Sequence, residues 1–425
     1  MNYSDLKDYI NSNNIDTKLN NITCSDIVFN EKDRYLNLLE KAYKLYGDGD
    51  YHIISSPGRS EIGGNHTDHQ HGHVLACALN IDNVCVVKVN NTNICNFSDE
   101  KFNPISVDIT DLQIQESEKN TSMSLIRGIS AKLKELGYKT GGFDAVCDSH
   151  VLIGSGISSS ACFEMMVVEI FNALFNEDRI SDIDRAKIGQ YAENVYFGKP
   201  SGLMDQMAIS VGGFIAIDFK DINNPIIEKY NFSFDDYGYS LMLINTKGDH
   251  ADLSNEYAAI TSEIKDVAKL LNVEYLADTD YETFISRLPE IRNVLKNDRA
   301  ILRAGHFFKE DKRAIEEKIA VKNSDVNTLL KLIKESGRSS FEYLQNVYPS
   351  SRTSSQSLAV GLYIADSILG DSGAYRIHGG GFDGTIQAIV PVDKVDDFCR
   401  QISYIFGCDS ILCSKVRNSG TALII

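Results

Sequence analysis

Phe163, Met166, Val167, Ile170 and Leu174 recur at helical spacing, so residues 161–175 read as one apolar helix. Before it come two strand-like segments, Phe143-Asp144-Ala145-Val146-Cys147 and Val151-Leu152-Ile153. Between strand and helix lies a loop, Gly154-Ser155-Gly156-Ile157-Ser158-Ser159-Ser160. The same reading predicts a helix over 35–46, closed by Gly47, and strands over 51–55 and 83–89. A further helix over 124–136 places Leu125, Ile129, Leu133 and Leu136 on one face and stops at Gly137. Helix signal follows over 183–195 and strand signal over 213–217. Turn-formers at Asp221-Ile222-Asn223-Asn224-Pro225 predict a boundary between domains 1–222 and 223–425. The second half opens on a buried-strand run, Leu241-Met242-Leu243-Ile244. It continues with helical patterns over 258–271 and 326–333 and ends on strand signal over 410–412 and 423–425. This order suits an α+β architecture of two lobes.

Composition narrows the function classes. The 425 residues are enough for two or three cores, and an apolar share of 43% fits a soluble globular chain. No run approaches the roughly 18 apolar residues of a membrane span, and the N-terminus lacks the basic-then-apolar pattern of a secretory signal. Lys and Arg number 42 against 59 Asp and Glu, a net charge of −17. That balance argues against a nucleic-acid or anionic-membrane partner, yet backbone N–H groups can still hold an anionic nucleotide locally. Nine cysteines without a Cys-x-x-Cys pair point to a reduced, cytoplasmic protein.

The loop at 154–160 has the chemistry of an anion site. Two glycines allow close backbone approach, the serines supply hydroxyls, and the first-turn N–H groups of the next helix lack intrahelical partners. No lysine follows as in a Walker A loop. Two other segments are glycine-rich in the same way. One is Pro57-Gly58-Arg59-Ser60-Glu61-Ile62-Gly63-Gly64-Asn65-His66-Thr67-Asp68-His69, and the other is His378-Gly379-Gly380-Gly381-Phe382-Asp383-Gly384. A further segment is Gly202-Leu203-Met204-Asp205-Gln206, where a carboxylate directly follows an apolar pair. In this order the segments resemble the motifs of the GHMP small-molecule kinases, and most of all the galactokinase family.

That resemblance implies a ribosomal-S5-like N-terminal lobe and a ferredoxin-like C-terminal lobe with the active site between them. It implies transfer of the ATP γ-phosphoryl group to the anomeric C1 hydroxyl of galactose, with ATP and Mg²⁺ as cofactors. Gly154, Ser155, Gly156, Ile157, Ser158, Ser159, Ser160, Gly380 and Gly381 would hold ATP. Ser160 and Glu193 would hold the metal. Asp205 would orient the attacking hydroxyl and Arg59 would stabilise phosphoryl charge. Glu61, Asn65, His66, Asp68, Gly202 and Tyr257 would line the sugar pocket. A monomer or weak homo-oligomer is expected.

Several positions depart from the family pattern. Asn65 stands where a glutamate faces the sugar C6 hydroxyl, and Glu61 where an asparagine is usual. Asp249 replaces an arginine before His250, Asp383 replaces a glycine, and Leu152 replaces a proline. Loss of the carboxylate at 65 opens a second reading, a kinase for a C6-modified sugar such as galacturonate. A third is a non-catalytic sugar sensor on the same fold. His66, His69, His71 and His73 also raise a zinc reading.

Overall fold

Residues 51–63 form one unbroken strand, more than twice the length that the local pattern predicts. The computed structural model describes residues 1–23, 28–99, 103–151, 156–248, 253–382 and 384–425. In chain order the elements begin with helices α1 (Tyr3–Asn11), α2 (Asp16–Thr23) and α3 (Val28–Tyr46). Strands β1 (Tyr51–Gly63), β2 (His73–Val89), β3 (Ile94–Asp99) and β4 (Ile105–Asp108) follow. Then come α4 (Ser122–Glu135), β5 (Phe143–Ser149), α5 (Ser159–Phe175), α6 (Asp182–Tyr191) and α7 (Met204–Val211). Strands β6 (Phe214–Asp218), β7 (Ile226–Tyr230) and β8 (Tyr239–Asn245) lead into α8 (Ser254–Leu270), α9 (Tyr281–Leu295), α10 (Asp298–Lys322), α11 (Val326–Ser339) and α12 (Ser357–Leu369). The chain closes with β9 (Ala374–Ile377), β10 (Thr385–Pro391), α13 (Val395–Phe406), β11 (Ile411–Ser414) and β12 (Ala422–Leu423).

Two sheets organise these elements. The first runs β12-β1-β2-β5-β3-β4, with β6 on β2 and β7 on β6; the second runs β11-β8-β10-β9. The α+β expectation holds. The first sheet is covered on both faces, which explains its nearly continuous apolar strands. Ile54, Cys85 and Val87 turn to one core with α4 and α5, while Ile53, Val84 and Val86 turn to α1 and α3 through Leu6, Leu38 and Leu39. The boundary expected between 222 and 223 is crossed. β7 pairs with β6, and β12 returns to pair Leu423 with Ile54 of β1.

Two features of the fold have no periodic signal in the sequence, and both serve the site. β1 shifts register between Pro57 and Arg59 and again between Glu61 and Gly63, which bends the strand where its motif lies. α10 is hidden from the pattern because its buried face is mixed: Arg303, His306, Glu310 and Glu317 interrupt the apolar stripe of Ala304, Phe307, Ala314 and Val321. Among the described residues, no helix is long and apolar enough to cross a membrane.

Candidate active site

Ser158 ends the serine-bearing loop in a left-handed conformation, φ 61°, just before α5. That backbone costs an L-residue about 1–2 kcal/mol, and such strain concentrates at functional turns. Ser158 donates a hydrogen bond to Oδ2 of Asp205. Ser160, two residues on, donates to Oε1 of Glu193 at 3.1 Å. Alternate serines of one turn thus each face a different carboxylate. Ile157 is buried beneath them and Ser159 begins the helix. Gly154, Ser155 and Leu152 lie outside the described residues, as do Asp249, His250 and Asp383.

Asp205 stands in the first turn of α7. Arg59 grips it bidentately, Nε to Oδ1 at 2.7 Å and Nη2 to Oδ2 at 2.9 Å, the geometry that makes guanidinium–carboxylate pairs strong. The same guanidinium donates through Nη1 to Gly156 O at 2.6 Å, so one arginine ties the loop to the carboxylate. Burial alone would raise the Asp205 carboxyl; Arg59 and the Ser158 hydroxyl bring it below the ordinary range. Its side chain remains 31% exposed, which leaves one side open to a hydroxyl.

Glu193 lies in a wide turn at Ala192–Phe197 with π-type hydrogen bonding, a rare form often found at functional sites. Its carboxylate is buried and accepts from Ser160, from Lys199 Nζ at 2.9 Å and from Gln206 Nε2 at 2.9 Å. Gln206 also donates to Glu164 at 2.8 Å, so one amide bridges two buried carboxyl groups. Sequence pattern assigns no role to Lys199 or to Gln206. A lysine in a Gly-Lys-Pro turn carries no periodic signal, and only its folded position reveals it.

The sugar loop follows the bend in β1. Asn65 is bound at every polar atom. Its N–H donates to Glu310 at 3.3 Å and its carbonyl accepts from His306 at 3.0 Å. Its amide donates to Glu61 and to Gly379 O, both at 2.9 Å, and accepts from Ser340 and Asn346, both at 3.0 Å. With two donors and two acceptor positions used, the carboxamide has nothing left for a ligand. Glu61 is likewise buried and pairs with Arg376 at 2.7 Å. Both residues expected to line the sugar pocket therefore face the protein interior. A carboxylate also remains within hydrogen-bond reach of position 65, which weakens the case for an anionic sugar.

His66 and Asp68 are only partly buried. Burial, then the neighbouring His69, pushes the His66 imidazole down to about 3, so it is neutral. Its Nε2 lies 3.1 Å from Gly380 O and must donate to that carbonyl, which leaves Nδ1 as an acceptor. Asp68 packs against Gly202 so closely that a Cβ there would fall 1.7 Å from Oδ2. Gly202→Ala should therefore displace the Asp68 carboxylate and raise the KM for sugar about tenfold or more, an effect of roughly 1.4 kcal/mol, with the KM for ATP unchanged. Equal sugar KM in steady-state assays would refute the contact.

Tyr257 donates to Gly381 O at 2.9 Å. Gly380 and Gly381, expected at the nucleotide, pack against Tyr257 and Asn346, where a Cβ would fall 2.7 and 2.2 Å from them. It is Gly379 that approaches Arg59 and Gly156 O, each 3.7 Å from where its Cβ would be. The four histidines do not converge. His66 and His69 are 5.8 Å apart ring to ring, His71 stacks on Tyr275, and His73 pairs with Asp311 and Asp218. Among the described residues no group of three or more His, Cys, Asp or Glu side chains could hold a metal ion, so nothing supports the zinc reading.

The buried titratable groups around the site set its pH response. Burial lowers the imidazoles of His66, His306 and His378, and raises the carboxyls of Glu164 and Glu317. Each histidine is protonated only when unfolded below about pH 6.5, so each withdraws stability as pH falls through that value. Each glutamic acid keeps its proton in the fold above its unfolded value near 4.3, so its contribution is lost as pH rises. The two sets oppose each other between about pH 4.5 and 6.5; above that the glutamic acids, together with the raised Glu61 carboxyl and the His73 imidazole that Asp311 and Asp218 hold up, withdraw stability as pH rises. Denaturant melts from about pH 5 to 9 should show a maximum near pH 6.5 and an alkaline decline. Among the described residues neither Glu317 oxygen has a hydrogen-bond partner, so Glu317→Met should flatten that decline. An unchanged slope would be the contrary result.

Comparison with known proteins agrees with this geometry. Residues 124–213 match the GHMP kinases N terminal domain, and residues 43–89 match the galactokinase galactose-binding signature. A galactokinase of Clostridium tetani is 29% identical over 374 residues, covering 87% of this chain and 91% of the relative. One from Limosilactobacillus reuteri is 28% identical over 389 residues, covering 88% and 94%. The crystal structure of Lactococcus lactis galactokinase complexed with galactose superposes with a TM-score of 0.79 at 22% identity, covering 90% of this chain and 98% of that one. Methanococcus jannaschii mevalonate kinase gives 0.61 at 15% identity, covering 87% and 99%. Those two likenesses establish the fold. With its loops assembled on that fold and both signatures matched, the chain is similar to the galactokinases of the GHMP kinase family, as a divergent relative.

Proposed function

We propose that the chain transfers the γ-phosphoryl group of ATP to the C1 hydroxyl of galactose, giving galactose 1-phosphate and ADP. The observation that carries this reading is the convergence of Ser158, Gly156, Arg59 and Asp205. One guanidinium joins a phosphate-binding loop to an ionised carboxylate that is still partly open. Phosphoryl transfer asks mainly for positioning and charge stabilisation, because its transition state is loose. Asp205 accepts a hydrogen bond from the sugar's C1 hydroxyl and aims the oxygen at the phosphorus. Held below its ordinary pKa, it is a weak base, so it orients first and takes the proton late, as the new P–O bond forms. Arg59 keeps it ionised and faces the charge developing on the phosphoryl oxygens. The first-turn N–H groups of α5 receive the phosphates. His66 and Asp68 hold ring hydroxyls, with Gly202 leaving room for the Asp68 carboxylate.

The Ser160 hydroxyl and Glu193 carboxylate are hard oxygen donors that meet at 3.1 Å, and the Lys199 ammonium on Glu193 marks the place as one that accepts positive charge. They suit Mg²⁺, which usually takes one or two protein oxygens and keeps several waters. When bound, it would neutralise triphosphate charge.

A coupled ADP-release assay over galactose, galacturonate, N-acetylgalactosamine and glucose tests the reading. Galactose should lead by more than about tenfold in kcat/KM, roughly 1.4 kcal/mol, with the product phosphorylated at C1 by NMR. An equal lead for galacturonate would replace it with a sugar-acid kinase, and no turnover with any sugar would favour a sensor.

A further inference from the structure

Two carboxylates flank the serine-bearing loop, and each has one loop serine and one cation. Asp205 has Ser158 and Arg59; Glu193 has Ser160 and Lys199. The two cations differ in kind. The Arg59 side chain is 6% exposed and locked in three hydrogen bonds. The Lys199 side chain is 58% exposed and, among the described residues, its ammonium makes one hydrogen bond, to Glu193 Oε1. Its backbone is fixed: Gly198 N and Lys199 N both donate to Glu193 O, at 3.0 and 3.1 Å, so the turn folds back over the glutamate. A four-carbon stem with rotatable bonds thus leaves a fixed root beside the phosphate loop, with the ammonium at its end. Glu193, Asp205 and Glu164 all lie close enough to act on that ammonium, and although burial opposes the charge they hold its pKa above the ordinary value.

We infer that Lys199 is a tethered phosphate-binding cation that neutralises Glu193 in the free protein and moves to the triphosphate when Glu193 takes a divalent ion. The inference rests on the kinase reading of this site and deepens it. Glu193 Oε1 is the oxygen shared by Ser160 and Lys199, so lysine and metal ion cannot both occupy it. Once Glu193 is neutralised by another cation, the attraction that holds Lys199 there is lost. The nearest concentration of negative charge within its reach is then a triphosphate seated on the loop. A point charge with three donors suits phosphate oxygens in that position.

The exchange makes two opposed predictions for Lys199→Met, both read as binding. Mn²⁺ titrated alone into the protein, followed by electron paramagnetic resonance, should bind about fivefold more tightly, because no resident cation competes. A non-hydrolysable ATP analogue with saturating Mg²⁺, followed by calorimetry, should bind about fivefold more weakly, and Lys199→Arg should restore most of that loss. The Lys199 side chain is more than half exposed, so the substitution opens no cavity in the core, and a wild-type circular dichroism spectrum at the assay temperature verifies that the variant is folded. If either affinity of Lys199→Met stays within about twofold of wild type, the exchange is overturned while the kinase reading stands. If wild type binds no nucleotide, the kinase reading falls and this inference falls with it.

Discussion

Asp205→Asn should lower kcat by about 10²–10⁴-fold, the range for losing a positioned acid–base group, while galactose still binds within a few-fold of wild type. The asparagine keeps one acceptor oxygen but turns an NH₂ toward a neighbour that can only donate. Arg59 holds Oδ1 with Nε and Oδ2 with Nη2, so whichever oxygen is replaced, one guanidinium hydrogen loses its acceptor and meets another donor. Ser158 can turn its hydroxyl and Arg59 keeps its bond to Gly156 O, so the loop stays in place. The defect should therefore fall on the chemical step. Calorimetric titration with galactose separates the outcomes: unchanged sugar affinity with lost turnover supports an orienting carboxylate. A variant with kcat within about tenfold of wild type would remove Asp205 from the mechanism. A modest loss of stability, about 1–3 kcal/mol for the unpaired donor, is expected in the same variant.

Legibility in the sequence followed the physics of each element. Helices with an apolar stripe, such as α4 and α5, could be read to within two residues because glycine or serine marks their ends. α10 could not, since its inward face carries ionisable side chains that pair only once the chain is folded. The motif loops named the right neighbourhood: Arg59, Asp205, Ser158, Ser160 and Glu193 lie together as the resemblance implied. What local pattern could not give is the direction of a side chain on a bent strand. Glu61 and Asn65 looked like two independent departures facing a sugar. They are a hydrogen-bonded pair turned inward, because register shifts in β1 re-aim residues after Pro57 and after Glu61. Lys199 stayed invisible for a related reason: its partner is six residues away, in a turn whose π-type geometry has no sequence signature.

Arg376→Met should destabilise the protein by about 3–5 kcal/mol, the cost of stranding one partner of a buried ion pair. Arg376 is fully buried on β9 of the second sheet, yet it donates to Glu61 at 2.7 Å and to Ile62 O at 2.8 Å, both on β1 of the first. It also donates to Ile377 O at 3.0 Å. The residue is thus a rivet between the two sheets, placed directly behind the sugar loop. Burial already pushes the Glu61 carboxyl up against the pull of Arg376 and Arg59; without Arg376 it should rise further. Methionine fills much of the space, so lost charge rather than a cavity dominates. The double variant Arg376→Met with Glu61→Gln should regain most of the stability, since a neutral amide can still face Asn65. Its sugar KM should stay raised, because the tie to Ile62 O that steadies the loop is gone. Urea melts and sugar KM measured on both variants decide the matter. If the single variant loses less than about 1 kcal/mol, the pair is no more than a surface-type salt bridge, and the sheets are held together by their apolar contacts alone.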